Sequence, residues 1–571
     1  MLLPWQFLCD RVLYFLESVT IKLFLFLLGT MQQQHHSNTY RLLYIPIVFL
    51  FLLSFTDCAK KGRPSGGLRD TIAPVILRSA PENFTINFKN NEIRITFDEF
   101  IKLKDISKEL IISPPLKYAP VITPLSVSKV LKIKILDTLK DNTTYSFNFG
   151  NSILDNNEGN LFPNYKYVFS TGSYIDSLTL KGTAVDALLP KTDFPTTVVL
   201  YQVDQSYKDS LVFLEKPTYI TTTINETNNF ELSNLKQGTY QLIALKEQTR
   251  NYTFQPKTDK IGFYKDLITI PTDSLFELKL FKEVPDFKPT RPKLESSNRI
   301  SFGYEGKTDN YQITLLTPME DDFQYQVLKQ PGRDTLNFWF KPKVTKDSLV
   351  FVTKNKLQID TTTVRFRELY SDSLRLTAIN DRLISLADTL KLKANTPLVA
   401  ISSEKISVVT KDTLAIDFVA QINTKENAAQ IVFDKQEEQL YSITLRNGAL
   451  TDYLSNTNDS IVYRQQVKPI ADFASLNLTL DNADEFPLLI ELINEKFKVV
   501  KQTYLETNAP VFFEHISPGK YFIRLIVDQN KNKIWDPGNF LDKLAPEKVV
   551  YYPSIIELRA NWSWSETFTL K

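Results

Sequence analysis

The sequence of 571 residues contains only two cysteines and three histidines. Cys9 and Cys58 both lie near the N-terminus, so the rest of the chain offers no disulfide, no thiolate nucleophile and no cysteine-based metal site. Beyond the first 36 residues the single histidine is His515, which excludes histidine-cluster zinc sites. A serine-histidine catalytic unit would depend on that one position. We interpret His515 as a polar turn residue before Pro518 and Gly519.

Glycine and methionine are also scarce, with 16 and 3 residues, and neither charge dominates. Lysine and arginine together number 67 and aspartate and glutamate 65, so the chain lacks the basic face that nucleic acids require. No GxSxG, phosphate-binding loop, GxGxxG, HExxH or CxxC motif is present. We therefore predict that the chain is not an enzyme; the alternative is a hydrolase that uses scattered carboxylates.

Residues 31–58 follow the pattern of a secretory signal. From Met31 a polar, charged stretch leads to the apolar run Leu42–Phe55, which is too short to span a membrane and is followed by Thr56, Asp57 and Cys58. This arrangement resembles a lipoprotein signal peptide, although Asp57 stands where such signals usually have a small residue. The resemblance implies that the thiol of Cys58 carries diacylglycerol and anchors the chain in a membrane.

Residues 1–30 have no export pattern of their own, because charged residues interrupt their apolar runs. We therefore interpret Met31 as the true start of the chain; the alternative is an additional membrane segment upstream of the signal. In either case residues 1–57 form the leader and residues 58–72 the tether of the lipid anchor. The start of the tether lacks the acidic residues that resemble a surface-export signal, which favours an outer-membrane lipoprotein on the periplasmic side.

Apolar and polar residues alternate with a period of two along the chain after the tether. Ile93, Ile95 and Phe97, for example, alternate with polar residues, and turn clusters such as Ser517–Gly519 separate such runs. No segment shows a sustained period of 3.6 residues. Together with 39 phenylalanines and 25 tyrosines, this pattern predicts an all-β fold of tandem antiparallel β-sandwiches after the N-terminal signal segment.

The first sandwich has several landmarks in its sequence. Pro74 stands at the entry to the first strand, Phe97–Glu99 at a strand end, and Tyr145–Asp155 covers a strand and loop of the closing sheet. With these landmarks the segment from about Asp70 to Gly172 resembles the bacterial immunoglobulin-like domain of the surface-layer protein type. The chain as a whole resembles Bacteroidota lipoproteins, in which prealbumin-like or carboxypeptidase-regulatory-like modules follow such a domain.

An internal repeat organises much of the remaining chain. The segment from Gly238 to Pro256 aligns without gaps with the segment from Gly519 to Pro537, which predicts two prealbumin-like sandwiches. A similarity between the strands near Tyr145 and Tyr441 predicts a second, degenerate immunoglobulin-like domain. The predicted domains are the immunoglobulin-like domain at 73–172, a prealbumin-like sandwich at 173–282, an unclassified β region at 283–395, the degenerate immunoglobulin-like domain at 396–465 and the C-terminal prealbumin-like sandwich at 466–571.

One loop of the second copy carries oxygen side chains at alternating positions. Asp528, Asn530, Asn532 and Asp536 stand at relative positions 1, 3, 5 and 9, and the Ile534 carbonyl would fill position 7, as in calcium-binding loops. Positions 6 and 12 depart from that pattern. The alternative is a chain-reversing loop, in which Asn and Asp are favoured for their side-chain-to-backbone hydrogen bonds.

Two tryptophans lie close together near the C-terminus. Trp562 and Trp564 are two residues apart in a predicted strand, so both side chains project to the same face. Such aromatic pairs either stack on the sugar rings of a glycan or cap the core of a sandwich.

These features predict a non-catalytic cell-envelope lipoprotein that acts as a scaffold or interaction protein for an envelope protein partner. The alternative function is a glycan-binding or adhesive surface protein, stabilised by calcium. A two-sheet sandwich hosts many functions, so the fold alone does not choose between them.

Overall fold

The alternating pattern forms strands along the whole described part of the chain. The computed structural model describes residues 70–224, 227–308, 310–356, 358–380 and 382–570. Within these residues the fold is all-β, as predicted, and the strands form five sandwiches, each with its own apolar core; sandwich 4 has a small third sheet, and the other four have two sheets each. The helical segments described are α1 Ile106–Glu109, α2 Leu211–Leu214 and the 3-10 turns Ser403–Lys405 and Ile470–Asp472.

The predicted leader at 1–57, the lipidation residue Cys58 and the tether up to residue 69 lie outside the described residues. Of the helices that the structure does describe, none has the length and apolar character needed to cross a membrane.

Sandwich 1 packs a five-stranded sheet on a three-stranded one. Its strands are β1 Ile76–Ala80, β2 Glu92–Leu103, β3 Ile111–Ser113, β4 Val121–Thr123, β5 Ser128–Lys134, β6 Thr144–Asn148, β7 Ile153–Asp155 and β8 Lys166–Ser170. The sheets run β1-β2-β5-β4, with β7 also paired to β2, and β3-β6-β8. Ile93, Ile95 and Phe97 of β2 are fully buried between the sheets against Phe147 and Phe169. The predicted alternation thus places every second residue of β2 from Ile93 to Phe97 in the core.

Sandwich 2 has a different strand order and one parallel pair. Its strands are β9 Leu178–Asp186, β10 Thr197–Gln202, β11 Tyr219–Thr222, β12 Asn229–Leu235, β13 Gly238–Lys246, β14 Lys260–Phe263, β15 Ile268–Ile270 and β16 Leu275–Leu280. The sheets run β11-β10-β13-β14, with β15 also paired to β13, and β12-β9-β16, in which β16 is parallel to β9.

Sandwich 3 lies in the region that the sequence left unclassified. Its strands are β17 Lys288–Pro289, β18 Lys293–Ser296, β19 Arg299–Glu305, β20 Tyr311–Leu315, β21 Gln324–Lys329, β22 Thr335–Lys341, β23 Ser348–Asn355 and β24 Gln358–Arg365. The sheets run β17-β19-β22-β21, with β18 also paired to β19, and β20-β23-β24. The rings of Phe302 and Phe338 meet Phe351 edge to face across the core, with centroids 5.2 and 5.0 Å apart.

Sandwich 4 begins before the boundary that we expected at residue 395. Its strands are β25 Leu376–Ala378, β26 Leu383–Ile384, β27 Leu390–Ala394, β28 Leu398–Ile401, β29 Ile406–Thr410, β30 Phe418–Asn423, β31 Ala428–Phe433, β32 Leu440–Leu445, β33 Leu450–Asp452 and β34 Ile461–Val467. The sheets run β25-β27-β31-β30, β26-β34-β32-β29 and β28-β33. Because β27 pairs with β31, one sheet crosses residue 395.

Sandwich 5 repeats the topology of sandwich 2. Its strands are β35 Ala474–Asp481, β36 Leu488–Asn494, β37 Val499–Leu505, β38 Val511–Ile516, β39 Gly519–Val527, β40 Val549–Tyr551, β41 Ile556–Leu558 and β42 Ser563–Thr569. The sheets run β37-β36-β39-β40, with β41 also paired to β39, and β38-β35-β42, in which β42 is parallel to β35. The aligned strands β13 and β39 are both nine residues long. In each, a buried tyrosine hydroxyl donates to a carbonyl four residues earlier, Tyr240 to Lys236 at 3.0 Å and Tyr521 to Ser517 at 2.6 Å.

The central strands of sandwich 2 are buried on both faces. Every residue of β10 from Thr197 to Tyr201 is buried, and so is every residue of β13 from Tyr240 to Leu245. One face belongs to the core of sandwich 2. The other carries Val199 and Ile243, and Phe540 from the loop after β39 in sandwich 5 is fully buried against it. A residue of sandwich 5 therefore completes a second apolar cluster on sandwich 2.

Polar contacts surround this buried ring. The backbone N–H of Phe540 donates to Oε1 of Glu283 at 2.5 Å. The ammonium of Lys543 donates to Oδ1 of Asp209 at 2.8 Å and to Oε1 of Gln241 at 3.2 Å, and it lies 4.0 Å from the centroid of the Phe540 ring. These bonds satisfy groups that the contact removes from water.

Sandwich 2 in turn contributes a loop to the outer face of sandwich 5. The carbonyl of Leu188, just after β9, accepts a hydrogen bond from the hydroxyl of Tyr551 at 2.6 Å and one from Nη1 of Arg524 at 3.2 Å. Arg524 also forms a buried ion pair with Glu491, with Nη2 and Oε2 at 2.5 Å and side-chain exposures of 7% and 8%. Each of the two sandwiches therefore covers part of the outer face of the other.

The substitution Phe540→Ala tests this docking. Removing a fully buried ring leaves a cavity, so we expect the free energy of unfolding to fall by about 3–5 kcal/mol. Its neighbour Leu541 is 54% exposed, so Leu541→Ala should change stability by less than about 0.5 kcal/mol. Urea unfolding of the full-length chain measures both, and equal stability of the two variants would contradict the burial of Phe540.

Candidate functional sites

The predicted calcium loop begins directly after β39, where the carboxylate of Asp528 is fully buried. Its Oδ1 accepts the backbone N–H of Asn532 at 3.1 Å, and its Oδ2 accepts the backbone N–H of Lys533 at 2.8 Å. A buried carboxylate needs donors that replace its lost hydration, and here the loop backbone supplies them. Asp528 therefore fixes the conformation of the loop.

Asp536 collects donors from its own loop and from sandwich 3. Its Oδ2 accepts from Nδ2 of Asn530 at 2.6 Å and from Nδ2 of Asn532 at 2.5 Å, and its Oδ1 accepts from the ammonium of Lys307 at 2.6 Å. Burial acts to raise the pKa of Asp536, but the hydrogen bonds from Lys307 and the two asparagines outweigh it and lower the pKa below its usual value. The carboxylate is therefore ionised at neutral pH, and its charge faces a lysine.

The structure brings together most of the predicted loop residues. The polar groups of Asn530, Asn532 and Asp536 converge, Asp528 faces the loop backbone, and the side chain of Ile534 is exposed. Among the described residues, no group of three or more His, Cys, Asp or Glu side chains is placed to hold a metal ion. Calcium ligation would have to add amide and carbonyl oxygens to two carboxylates, and it remains a prediction.

The calcium interpretation can be tested by removing the competing cation. In the variant Lys307→Met, Ca²⁺ no longer has to displace an ammonium from Asp536, so millimolar calcium should raise its melting temperature more than that of the wild type. The double variant Asp528→Ala with Asp536→Ala should show no calcium response. If calcium leaves the melting temperature of Lys307→Met unchanged, the loop is a turn and the calcium interpretation is wrong.

A second carboxylate in each copy joins the two ends of the loop, and it lies outside the motif that the loop sequence shows. Glu547 accepts the backbone N–H groups of Gln529 and Asp536, both at 2.9 Å. Asp259 bonds in the same way to the two aligned residues of the first copy, at 3.3 and 3.0 Å. The gapless alignment ends before either carboxylate, and their distances from the loop along the chain differ, so the repeat gave no signal for them.

In the first copy of the repeat, Glu247 occupies the position that aligns with Asp528. It accepts fewer hydrogen bonds from the loop backbone than Asp528 does. Its Oε1 accepts the backbone N–H of Tyr252 at 2.6 Å, whereas its Oε2 is buried without a hydrogen-bond partner. Burial is the largest cause that raises the pKa of Glu247, to about 7. The protonated form is therefore favoured by folding.

Glu247 should make the stability of the chain depend on pH. Because its pKa rises on folding, the folded chain keeps a proton that the unfolded chain releases, and stability falls as pH rises from about 4.5 to about 7. The variant Glu247→Gln should match the wild type at about pH 4 and melt at a higher temperature at about pH 8. The exposed control Glu277→Gln should match the wild type at both pH values, and the same result for Glu247→Gln would contradict the assignment.

The two tryptophans form one stacked unit at the start of β42. The rings of Trp562 and Trp564 are nearly parallel, with centroids 6.2 Å apart and an angle of 14° between their planes. The guanidinium of Arg559 lies 5.2 Å from the centroid of the Trp562 ring. Trp564 donates from Nε1 to Glu566 at 2.8 Å and packs against the core of sandwich 5, whereas Trp562 is 46% exposed. The side chain of Trp564 is therefore part of the packing of sandwich 5. Glycan binding by the two tryptophans remains a prediction.

Comparison with known proteins identifies the first sandwich. A family model described as a bacterial Ig-like domain matches residues 70–171, which contain the strands of sandwich 1. The predicted resemblance of this segment to a bacterial immunoglobulin-like domain is therefore confirmed. No curated protein matches the chain.

Several solved structures align with long parts of the chain at low similarity. Domains 1–6 of the surface layer protein SbsC are 12% identical over 85% of this chain and 67% of that chain, with a TM-score of 0.14. The major pilin subunit BcpA of Bacillus cereus is 12% identical over 69% of this chain and 99% of that chain, with a TM-score of 0.13. The alpha-2-macroglobulin of E. coli is 9% identical over 83% of this chain and 41% of that chain, with a TM-score of 0.13. Likenesses this weak carry no argument about function.

In its described residues the chain is thus a tandem β-sandwich protein that begins with a bacterial Ig-like domain. Sandwiches 2 and 5 share a topology that differs from that of sandwich 1, whereas sandwich 3 has the strand order of sandwich 1 when β17 and β18 are counted as one edge strand.

Proposed function

We propose that the chain is a non-catalytic scaffold or interaction protein of the cell envelope, anchored to a membrane by a lipid on Cys58. The reciprocal docking of sandwiches 2 and 5 carries the proposal. Because Phe540 of sandwich 5 covers an apolar outer face of sandwich 2, and Leu188 of sandwich 2 accepts hydrogen bonds from the outer face of sandwich 5, the two keep their remaining edges and loops in fixed relative positions. Fixed spacing of binding surfaces is the property that a scaffold needs.

Contacts between the other sandwiches support the same role. The backbone N–H of Ile220 in sandwich 2 donates to Oγ of Ser113 in sandwich 1 at 3.1 Å. Asn456 of sandwich 4 donates from Nδ2 to the carbonyl of Asp372, just after sandwich 3, at 3.2 Å. Sandwich 3 in turn reaches sandwich 5 through the ion pair of Lys307 and Asp536. Each pair of neighbours in this series is joined by specific polar contacts.

The leader and the Ig-like domain support an envelope location. Residues 31–58 have the sequence pattern of a lipoprotein signal, and several acyl chains hold a protein on a membrane far more firmly than one. We propose an outer-membrane lipoprotein that faces the periplasm and has an envelope protein as its partner. A glycan-binding role is the second candidate, and the exposure of Trp562 is the observation that favours it.

Anchoring at Cys58 can be tested by cell fractionation. The wild-type chain should sediment with the membranes, and Cys58→Ser should move to the soluble fraction, because the substitution removes the sulfur that carries the lipid. The control Cys9→Ser should sediment like the wild type. If Cys58→Ser also stays with the membranes, the lipid anchor is wrong.

A further inference from the structure

A cleft opens in sandwich 4 between β34 and the strands β25 and β27 of the facing sheet. Its volume is about 550 Å³, and its walls include Leu390, Tyr463 and Gln465. Arg382 and Arg464 also line it, and both are exposed. Asn380 and Arg382, which lie between β25 and β26, line the cleft, so the site lies beside an edge of the sandwich.

Strand β34 has a free edge along this cleft. Its inner edge pairs with β32 from Ile461 to Gln466, but its outer edge pairs with β26 only at Gln466 and Val467. The backbone N–H of Gln466 donates outward to the carbonyl of Arg382 at 2.8 Å. Because backbone groups alternate sides along a strand, the N–H and C=O groups of Val462 and Arg464 face the same outer edge. No strand among the described residues pairs with them there.

An amide in the cleft lacks the partner that its burial requires. Gln465 is 2% exposed, and its Oε1 has no hydrogen-bond partner. Most buried side-chain amides in folded proteins are hydrogen-bonded, so an amide oxygen that lines a cleft without a partner is available to a ligand that carries a donor. This observation is independent of the free strand edge.

The charges around the cleft point to an anionic ligand. Arg382 and Arg464 have no carboxylate partner among the described residues. The carboxylate of Glu426 near β27 is already held by Lys391, at 3.0 Å. Arginine recognises carboxylates through two parallel hydrogen bonds, so two guanidinium groups without a carboxylate partner in the described part of the chain favour an acidic partner.

We propose that β34 binds an extended acidic segment of a partner protein, which adds to its free edge as a further strand. The proposal deepens the interaction function above and rests on it. Backbone groups of Val462 and Arg464 pair with the segment, Arg382 and Arg464 bind its carboxylates, and a side chain that enters the cleft donates to Gln465. Val462 and Leu383, both 55% exposed, supply apolar contact beside the edge. Strand addition favours a peptide over an acidic glycan, because only a peptide continues the ladder of hydrogen bonds.

Fluorescence anisotropy of a labelled peptide that alternates valine and glutamate tests the proposal on the purified full-length chain in detergent. We expect this peptide to bind at least about tenfold more tightly than its valine-lysine counterpart. The double reversal Arg382→Glu with Arg464→Glu should abolish binding. The matched reversal Lys405→Glu with Lys411→Glu, at the far edge of the same sheet, should leave it unchanged.

The variant Val462→Pro separates strand addition from simple charge attraction. It removes an outward-facing N–H and leaves the pairing with β32 intact, since proline is tolerated on a strand edge that faces solvent. We expect at least about tenfold weaker binding. Undiminished binding to Val462→Pro, equal affinity for a labelled polygalacturonate chain, or no binding of the valine-glutamate peptide would each overturn the proposal. These outcomes are independent of membrane sedimentation, so the anchor and the binding edge can fail separately.

Discussion

The structure depends on one constraint, which is that the central sheet of sandwich 2 is apolar on both faces. Burial of a valine, leucine or isoleucine side chain is worth roughly 1.5–3 kcal/mol, so an uncovered outer face would be costly in water. Phe540 and its loop cover that face, and the segment at Leu188 covers part of sandwich 5 in return. The sandwiches are therefore not independent units along the chain, because sandwiches 2 and 5, which are far apart in sequence, pack against each other.

This docking directs where other molecules can bind. The apolar outer face of sandwich 2 is covered within the chain, so we expect recognition of a partner to fall to strand edges and loops. Among these, β34 combines free backbone groups, two arginines and a buried amide, none of which has a strand, carboxylate or hydrogen-bond partner, respectively, among the residues that the structure describes. The loop at Asp528 serves a different purpose in this arrangement, because Asp536 joins sandwich 5 to Lys307 of sandwich 3.

Much of the fold could be predicted from the sequence, because strand alternation, turn clusters and the repeat are local signals. The aligned glycines at 238 and 519 mark strands of the same length in the two sandwiches of shared topology. The docking was not predicted, although the unbroken apolar run at Val198–Tyr201 is the pattern of a strand buried on both sides. Such a run shows that a second face is covered but not which distant residue covers it. For the same reason the sequence contains no signal for Lys307 and Glu547. Each contacts the loop that begins at Asp528 from a part of the chain outside the loop's own sequence motif.

Hydrogen exchange at the backbone amide of Phe540 tests the docking most directly, in the full-length chain and with single-residue resolution. We predict that this amide exchanges as slowly as the amides of β39, because it donates to the buried carboxylate of Glu283 while the ring of Phe540 is buried against the outer face of sandwich 2. Exchange of Phe540 as fast as an exposed loop residue such as Leu541 would contradict it.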